Sequence, residues 1–206
     1  MMKLFWSSRS PFARKVMVLA HELSLGDQLT LIRVAVGSIL LDENLMKHNP
    51  LNRIPTLIFD DGSALFDSRA ICDYLVQFAD THELTCADHA SRIADERRQS
   101  LGDGIMEQSV LTLGERKRPV QQFSPAHEAA YRLKTARTLD LLEGEAEQLV
   151  ALTGVTIGSV AIAVALSHLD FRFNEENWRG TRPRLSDWHA SMTERSSMKL
   201  TAFVEA

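Results

Sequence analysis

The chain has 206 residues, 45% hydrophobic and 24% charged, with a formal net charge of −4, the balance of a folded protein with a sizeable core rather than of a disordered chain. That charge excludes an electrostatic grip on nucleic acid, and no apolar run has the length of a transmembrane helix, so no membrane partner is expected. Met1 to Trp6 meets Ser7-Ser8-Arg9-Ser10 too soon for a secretory core, and Cys72 and Cys86 form no Cys-x-x-Cys pair, which predicts a cytoplasmic protein without cysteine-pair catalysis.

Lys3 to Trp6 reads as a short strand and Ser7 to Ser10 as the loop leaving it. Ser10 suits a helix N-cap and Pro11 the first helical position, with Phe12, Val16, Leu19 and Leu23 on one face and Gly26 at the end. A strand follows over 28–35, then a short helical piece around Leu40 to Lys47. Ile54-Pro55 stands before the apolar run Thr56 to Phe59; an X-Pro bond in the cis form would turn the chain into a strand and leave the Ile54 backbone unpaired. An extended peptide would find an edge to pair with there. Asp60-Asp61-Gly62 marks a turn, Ser63 to Phe66 a second strand and Ser68 to Phe78 a helix. Asp67-Ser68 opens that helix, so its N–H groups and positive dipole end would face a carboxylate. Singly, these are a hairpin and an ordinary cap; jointly, they describe a clamp for a small peptide.

Asp80 to Asp88 is polar and reads as a linker, dividing a domain at 1–80 from one at 88–206. Ala90 to Leu113 predicts a long helix, bent or loosened at Gly102 and Gly104, with Arg116-Lys117-Arg118 at its C-terminal end. After a loop from Pro119 to Pro125, a second helix over 126–150 carries Ala130, Leu133, Leu139, Leu142, Ala146 and Leu149 inward. Thr156 begins a third, apolar on all sides from Val160 to Leu166, and Pro183 precedes a fourth anchored by Leu185 and Trp188. Asp95-Glu96-Arg97-Arg98 reads as a solvated or dimer-facing surface, and Asp170-Phe171-Arg172 as a local ion pair. Cys72 reads as a small buried hydrophobe. His82, Cys86 and His89 are spaced irregularly for zinc, so no metal is expected.

Three motifs in order, Ser10-Pro11-Phe12-Ala13-Arg14-Lys15-Val16, Asn49-Pro50-Leu51-Asn52-Arg53-Ile54-Pro55-Thr56-Leu57 and Asp67-Ser68-Arg69-Ala70-Ile71, resemble the N-terminal domain of cytosolic glutathione transferases. The stretch from Thr156 through Leu169-Asp170-Phe171-Arg172 to Trp178 and Pro183 is similar to bacterial members, so the resemblance covers nearly the whole chain. It implies an α/β thioredoxin-like N-terminal domain followed by an all-α helical-bundle C-terminal domain, the glutathione transferase fold. It also implies glutathione as co-substrate and a homodimer. By the same resemblance Ser10 addresses the thiol, and Arg53 pairs with a carboxylate of the tripeptide. Ile54 and Pro55 offer the backbone edge, and Asp67 and Ser68 hold the γ-glutamyl amine and carboxylate. Phe12, with Met106, lines the neighbouring apolar pocket. Two positions depart from the family pattern: Asp67 stands where Glu is commoner, and Ser159 stands three residues after Thr156 where Asp is usual, predicting a cap weaker by about 1 kcal/mol.

A free thiol has a pKa of about 8.5, and lowering it by ~2 takes roughly 2.7 kcal/mol of preferential stabilisation of the anion. A hydroxyl hydrogen bond and a helix N-terminus together supply most of that. Ser10 has both within reach, although capping competes for the same oxygen; Ser7 and Ser8 are the neighbouring substitutes. The implied activity is conjugation of glutathione to a small electrophilic, apolar substrate, a detoxification chemistry. The alternatives are a non-catalytic module of the kind resembling the stringent starvation regulators, or a glutathione-dependent isomerase, whose Ser-Ser-Cys-type motif is replaced here by Ser7-Ser8-Arg9-Ser10. A glutaredoxin-type oxidoreductase lacks its cysteine.

Overall fold

In the computed structural model, which describes residues 1–79 and 88–205, the first strand is β1 (Met2–Trp6), with Leu4 and Phe5 buried. It pairs in parallel with β2 (Leu29–Arg33). A parallel pair needs a crossover, and α1 (Pro11–Glu22) supplies it, burying Ala13, Val16 and Leu19. After the single turn α2 (Glu43–Met46) come β3 (Thr56–Ile58), antiparallel to β1, and β4 (Ala64–Leu65), antiparallel to β3. The sheet order is β2-β1-β3-β4, and α3 (Ser68–Phe78) buries Ile71, Cys72 and Leu75. This is the thioredoxin-like order. One detail differs: α1 ends at Glu22, and the positive φ of 57° falls on Ser24 rather than on Gly26. Gly26 opens a short 3-10 turn where a Cβ would come 2.5 Å from the His21 ring, so its role is to leave room.

The remaining helices are α4 (His89–Arg116), α5 (Pro125–Gly144), α6 (Ala146–Val150), α7 (Ile157–Arg172), α8 (Pro183–Thr193) and α9 (Ser196–Leu200). The chain divides into Met1–Thr85 with Ser196–Ala206, and Cys86–Arg195. The last eleven residues thus group with the sheet, not with the helical part as the 88–206 boundary anticipated, because α9 packs on α1. Residues 80–87, where most of the expected linker and the pair His82 and Cys86 fall, lie outside the described residues.

In the helical unit α7 is buried over nearly its whole length, as an all-apolar sequence requires. α4 runs unbroken through Gly102 and Gly104. Gly102 is a seat for α7: a Cβ there would stand 2.5 Å from the Ala161 carbonyl carbon. The expected second helix is two helices, parted at Glu145, and Ala130 and Leu133 of its supposed inner face are exposed. Ser159 completes the α7 cap: Ser159 N–H donates to Thr156 Oγ at 3.1 Å, and Thr156 N–H donates to Ser159 Oγ at 2.8 Å. The missing carboxylate comes from elsewhere. Asp95 of α4 is buried, accepts from the Thr156 hydroxyl, and takes the Gly158 N–H at 3.0 Å. It is therefore a cap for the next helix but two, not a solvated surface charge.

Candidate functional site

The ladder registers bring the candidate residues to one end of the sheet. Phe5 pairs with Thr56 and Leu57 with Leu65. Continuing those registers sets Pro55 level with Trp6, just before the Ser7 to Ser10 loop, and Asp67 level with Pro55. The N-termini of α1 and α3 consequently open at the same end, both presenting backbone donors.

Ser10 caps α1. Its Oγ accepts from Ala13 N–H at 3.2 Å, its carbonyl from Arg14 N–H at 3.0 Å, and its own N–H donates to the Ser7 carbonyl at 3.1 Å. The capping bond uses a lone pair and leaves the O–H to donate, so capping and donation to a thiolate are compatible rather than competing. Pro11 has no N–H and Ala13 is satisfied by Ser10. The first turn's remaining donor is the N–H of Phe12, whose side chain is half-buried.

The turn from Asn49 to Thr56 is built around buried Asn49. Its Nδ2 donates to the Arg53 carbonyl at 3.1 Å and to Thr56 Oγ at 2.9 Å, and its Oδ1 accepts from Leu51 N–H at 3.0 Å. Asn52, in the left-handed region at φ 51°, takes the Asp42 N–H and donates to the Leu40 carbonyl, both at 2.9 Å. These two asparagines fix the position of Arg53, and the motif alone assigns them no role; their amides can satisfy several backbone groups at once, which is the signal that points to them. The Ile54–Pro55 bond is cis. Pro55 is buried, and Ile54 stands outside the ladder, which begins at Thr56. The exposed Arg53 guanidinium has no ion pair among the described residues.

Asp67 caps α3 through Oδ1, which accepts from Arg69 N–H at 2.9 Å, while Ser68 at the first helical position is buried. Ser10, Phe12, Arg53, Ile54, Pro55, Asp67 and Ser68 thus all belong to the sheet-containing unit. Met106 belongs to the helical unit and is fully buried there. The groove of about 470 Å³ in that unit, lined by Leu133, Leu139, Leu169, Phe173 and Trp178 among others, includes none of the candidate residues.

A second cluster resembles a hydrolase pair: Ser167 Oγ lies 2.9 Å from His189 Nε2, and His189 Nδ1 lies 3.8 Å from Asp170. Arg179 Nη2, always a donor, sits 2.6 Å from Nδ1. Nδ1 must accept, Nε2 carries the proton toward the Ala163 carbonyl, and no lone pair is left to deprotonate Ser167. The Asp170 ion pair is with Arg179 at 2.6 Å, supplemented by Trp178 Nε1 at 2.8 Å, rather than with Arg172. Among the described residues no cluster of His, Cys, Asp and Glu is arranged to hold a metal, and no helix is long and apolar enough to cross a membrane.

Residues 9–77 match the family model described as glutathione S-transferase, N-terminal domain. A glutathione transferase family member from Pseudomonas fluorescens Pf-5, solved with bound glutathione, is 34% identical, each chain covered over 100%, with a TM-score of 0.95. The chain belongs to the glutathione transferase family. Another structure described as a Pf-5 family member, with bound S-(propanoic acid)-glutathione, matches at 33% identity over 98% of each chain with a TM-score of 0.89. An uncharacterized GST-like protein of Escherichia coli K12, YibF, is 29% identical over 97% of this chain and 98% of its own length. The fold of this family member is accordingly the glutathione transferase fold.

Proposed function

We propose that this family member is a cytoplasmic, homodimeric glutathione transferase. It binds the tripeptide at the common end of β1, β3 and β4 and activates the thiol for attack on a small, apolar electrophile. The observation that carries the reading is the Ser10 geometry: an oxygen already anchored by Ala13 N–H, with its O–H free to donate, at a helix N-terminus whose Phe12 N–H is open. The rest of the site fits glutathione. Among the described residues, Ile54 offers unpaired backbone to an extended peptide and Arg53 an unpaired guanidinium to a carboxylate, and the α3 N-terminus with Asp67 and Ser68 suits the paired amine and carboxylate of a γ-glutamyl group. The glutathione and glutathione adduct bound in the two Pf-5 structures agree with this assignment.

Addition of a bound thiolate asks for little beyond stabilising the anion and holding the partner close. Titrating bound glutathione by thiolate absorbance tests the proposal. A pKa well below the free thiol's, raised by Ser10→Ala, is expected; an unshifted value insensitive to that substitution would sink it. A panel of electrophiles assayed for glutathione-dependent turnover then identifies the second substrate. Exposed apolar side chains on each unit, Ile39, Leu40, Leu41 and Leu51 on one and Val110, Leu111 and Leu133 on the other, support self-association.

A further inference from the structure

The chain after α8 returns along α1 and is fastened to it at three levels. At the C-terminal end of α1 the Ser197 hydroxyl donates to Glu22 Oε1 at 2.5 Å. In the first turns of α1, Arg14 Nη2 donates to the Met198 carbonyl at 3.1 Å, and the guanidinium carbon stands 4.4 Å from the centre of the Phe203 ring. Before the helix, Val204 N–H donates to the Ser8 carbonyl at 3.3 Å, and the Ser8 hydroxyl donates to the Val204 carbonyl at 3.1 Å. The last two bonds are reciprocal and hold a loop that belongs to no ladder.

Arg14 is only 7% exposed, and burial pulls its pKa down to about 10, so it is still a cation at neutral pH but a dehydrated one. The Met198 carbonyl and the face of Phe203 take over part of the role of water. Arg14 N–H also donates to the Ser10 carbonyl. The returning segment therefore grips the chain on both sides of Ser10, at Ser8 and at Arg14. A group that must meet a sulfur atom within hydrogen-bond distance loses effect when its support is loose by an ångström.

We propose that residues 196–204 are a positioning strap for the Ser10 loop, with Phe203 and Val204 acting through Arg14 and Ser8 to hold the Ser10 hydroxyl where a bound thiol needs it. The proposal rests on Ser10 being directed at the thiol. Its test compares the full chain with Phe203→Ala, Phe203→Tyr and a chain ended after Ala202, each titrated with glutathione by thiolate absorbance and by calorimetry. Phe203→Ala and the shortened chain are expected to hold roughly three- to tenfold less thiolate at pH 7. At about pH 5, where glutathione is bound as the thiol, their glutathione Kd should stay within about twofold, since Arg53, Ile54 and Asp67 are untouched. Phe203→Tyr keeps a ring against Arg14 and should restore the parent value. A parent with a lowered thiol pKa and a Phe203→Ala variant with the same pKa would overturn the strap alone. A parent whose thiol pKa is not lowered would overturn the Ser10 reading and the strap with it. If the shortened chain does not fold, the Ala and Tyr variants decide the matter by themselves.

Discussion

Ser10 has two roles that substitutions can separate. Ser10→Ala and Ser10→Gly both remove the O–H, and each should raise the pKa of bound glutathione by about 1–2, the worth of a hydrogen bond to an anion. They should differ in stability. Alanine loses the cap to Ala13 N–H at about 1 kcal/mol, whereas glycine at an N-cap costs only a few tenths; urea denaturation measures the difference. Asn49→Ala should destabilise by about 2–3 kcal/mol, because the Nδ2 bond to the Arg53 carbonyl and the Oδ1 bond to Leu51 N–H vanish in a buried place. Glutathione affinity should fall with it, as the turn carrying Arg53 and Ile54 loosens. The motif containing Asn49 was legible in the sequence. Its structural role was not, since no spacing rule states that one amide will reach both Arg53 and Thr56.

At the scale of elements, the two glycines of α4 make opposite predictions. A Cβ at Gly104 meets nothing within 4 Å, so Gly104→Ala should stabilise by about 0.5–1 kcal/mol through helix propensity. Gly102→Ala drives the same methyl group into the Ala161 backbone and should destabilise by about 1–3 kcal/mol; thermal melts of the two variants should move in opposite directions. Asp95→Asn should cost about 2–3 kcal/mol, because an amide cannot accept from both the Thr156 hydroxyl and the Gly158 N–H as the carboxylate does. Where α5 gives way to α6, Glu145 receives the Arg97 fork through two bonds of 2.8 Å, and that pairing holds its carboxyl below the ordinary value of 4.5. A depressed carboxyl contributes stability above its unfolded pKa and loses it as pH falls through the folded one. Stability should therefore decline on acidification below about pH 4.5, and Glu145→Gln should flatten that part of the profile. Periodicity and caps were enough to expect α1, α3, α7 and α8. The break at Glu145 and the exposure of Leu133 were not legible, because both depend on which neighbouring helix covers which face.

For the molecule as a whole, the proposed dimer is the property most open to measurement. Sedimentation at micromolar concentration is expected to give a dimer, and a charge placed at the most exposed large apolar side chain among the described residues, Ile39→Glu (Ile39 is 96% exposed), is expected to shift it toward monomer. A monomer throughout the range would count against self-association.

The amino-acid order alone dictated the succession of strands and helices over 3–79 and the helical character of the chain from residue 89 onward. It also set the identity of the side chains proposed to meet a peptide ligand, because hydrophobic period, proline placement and helix caps act over a few residues. Three further matters were settled by tertiary packing. It set Asp95 at the cap of α7, it made Gly102 a seat instead of a hinge, and it returned the last residues to the sheet-containing unit, where Val204 meets Ser8. Each of these joins groups about 60 to 200 positions apart. At that separation local preference carries no information, and the pairing is set by which surfaces are buried together.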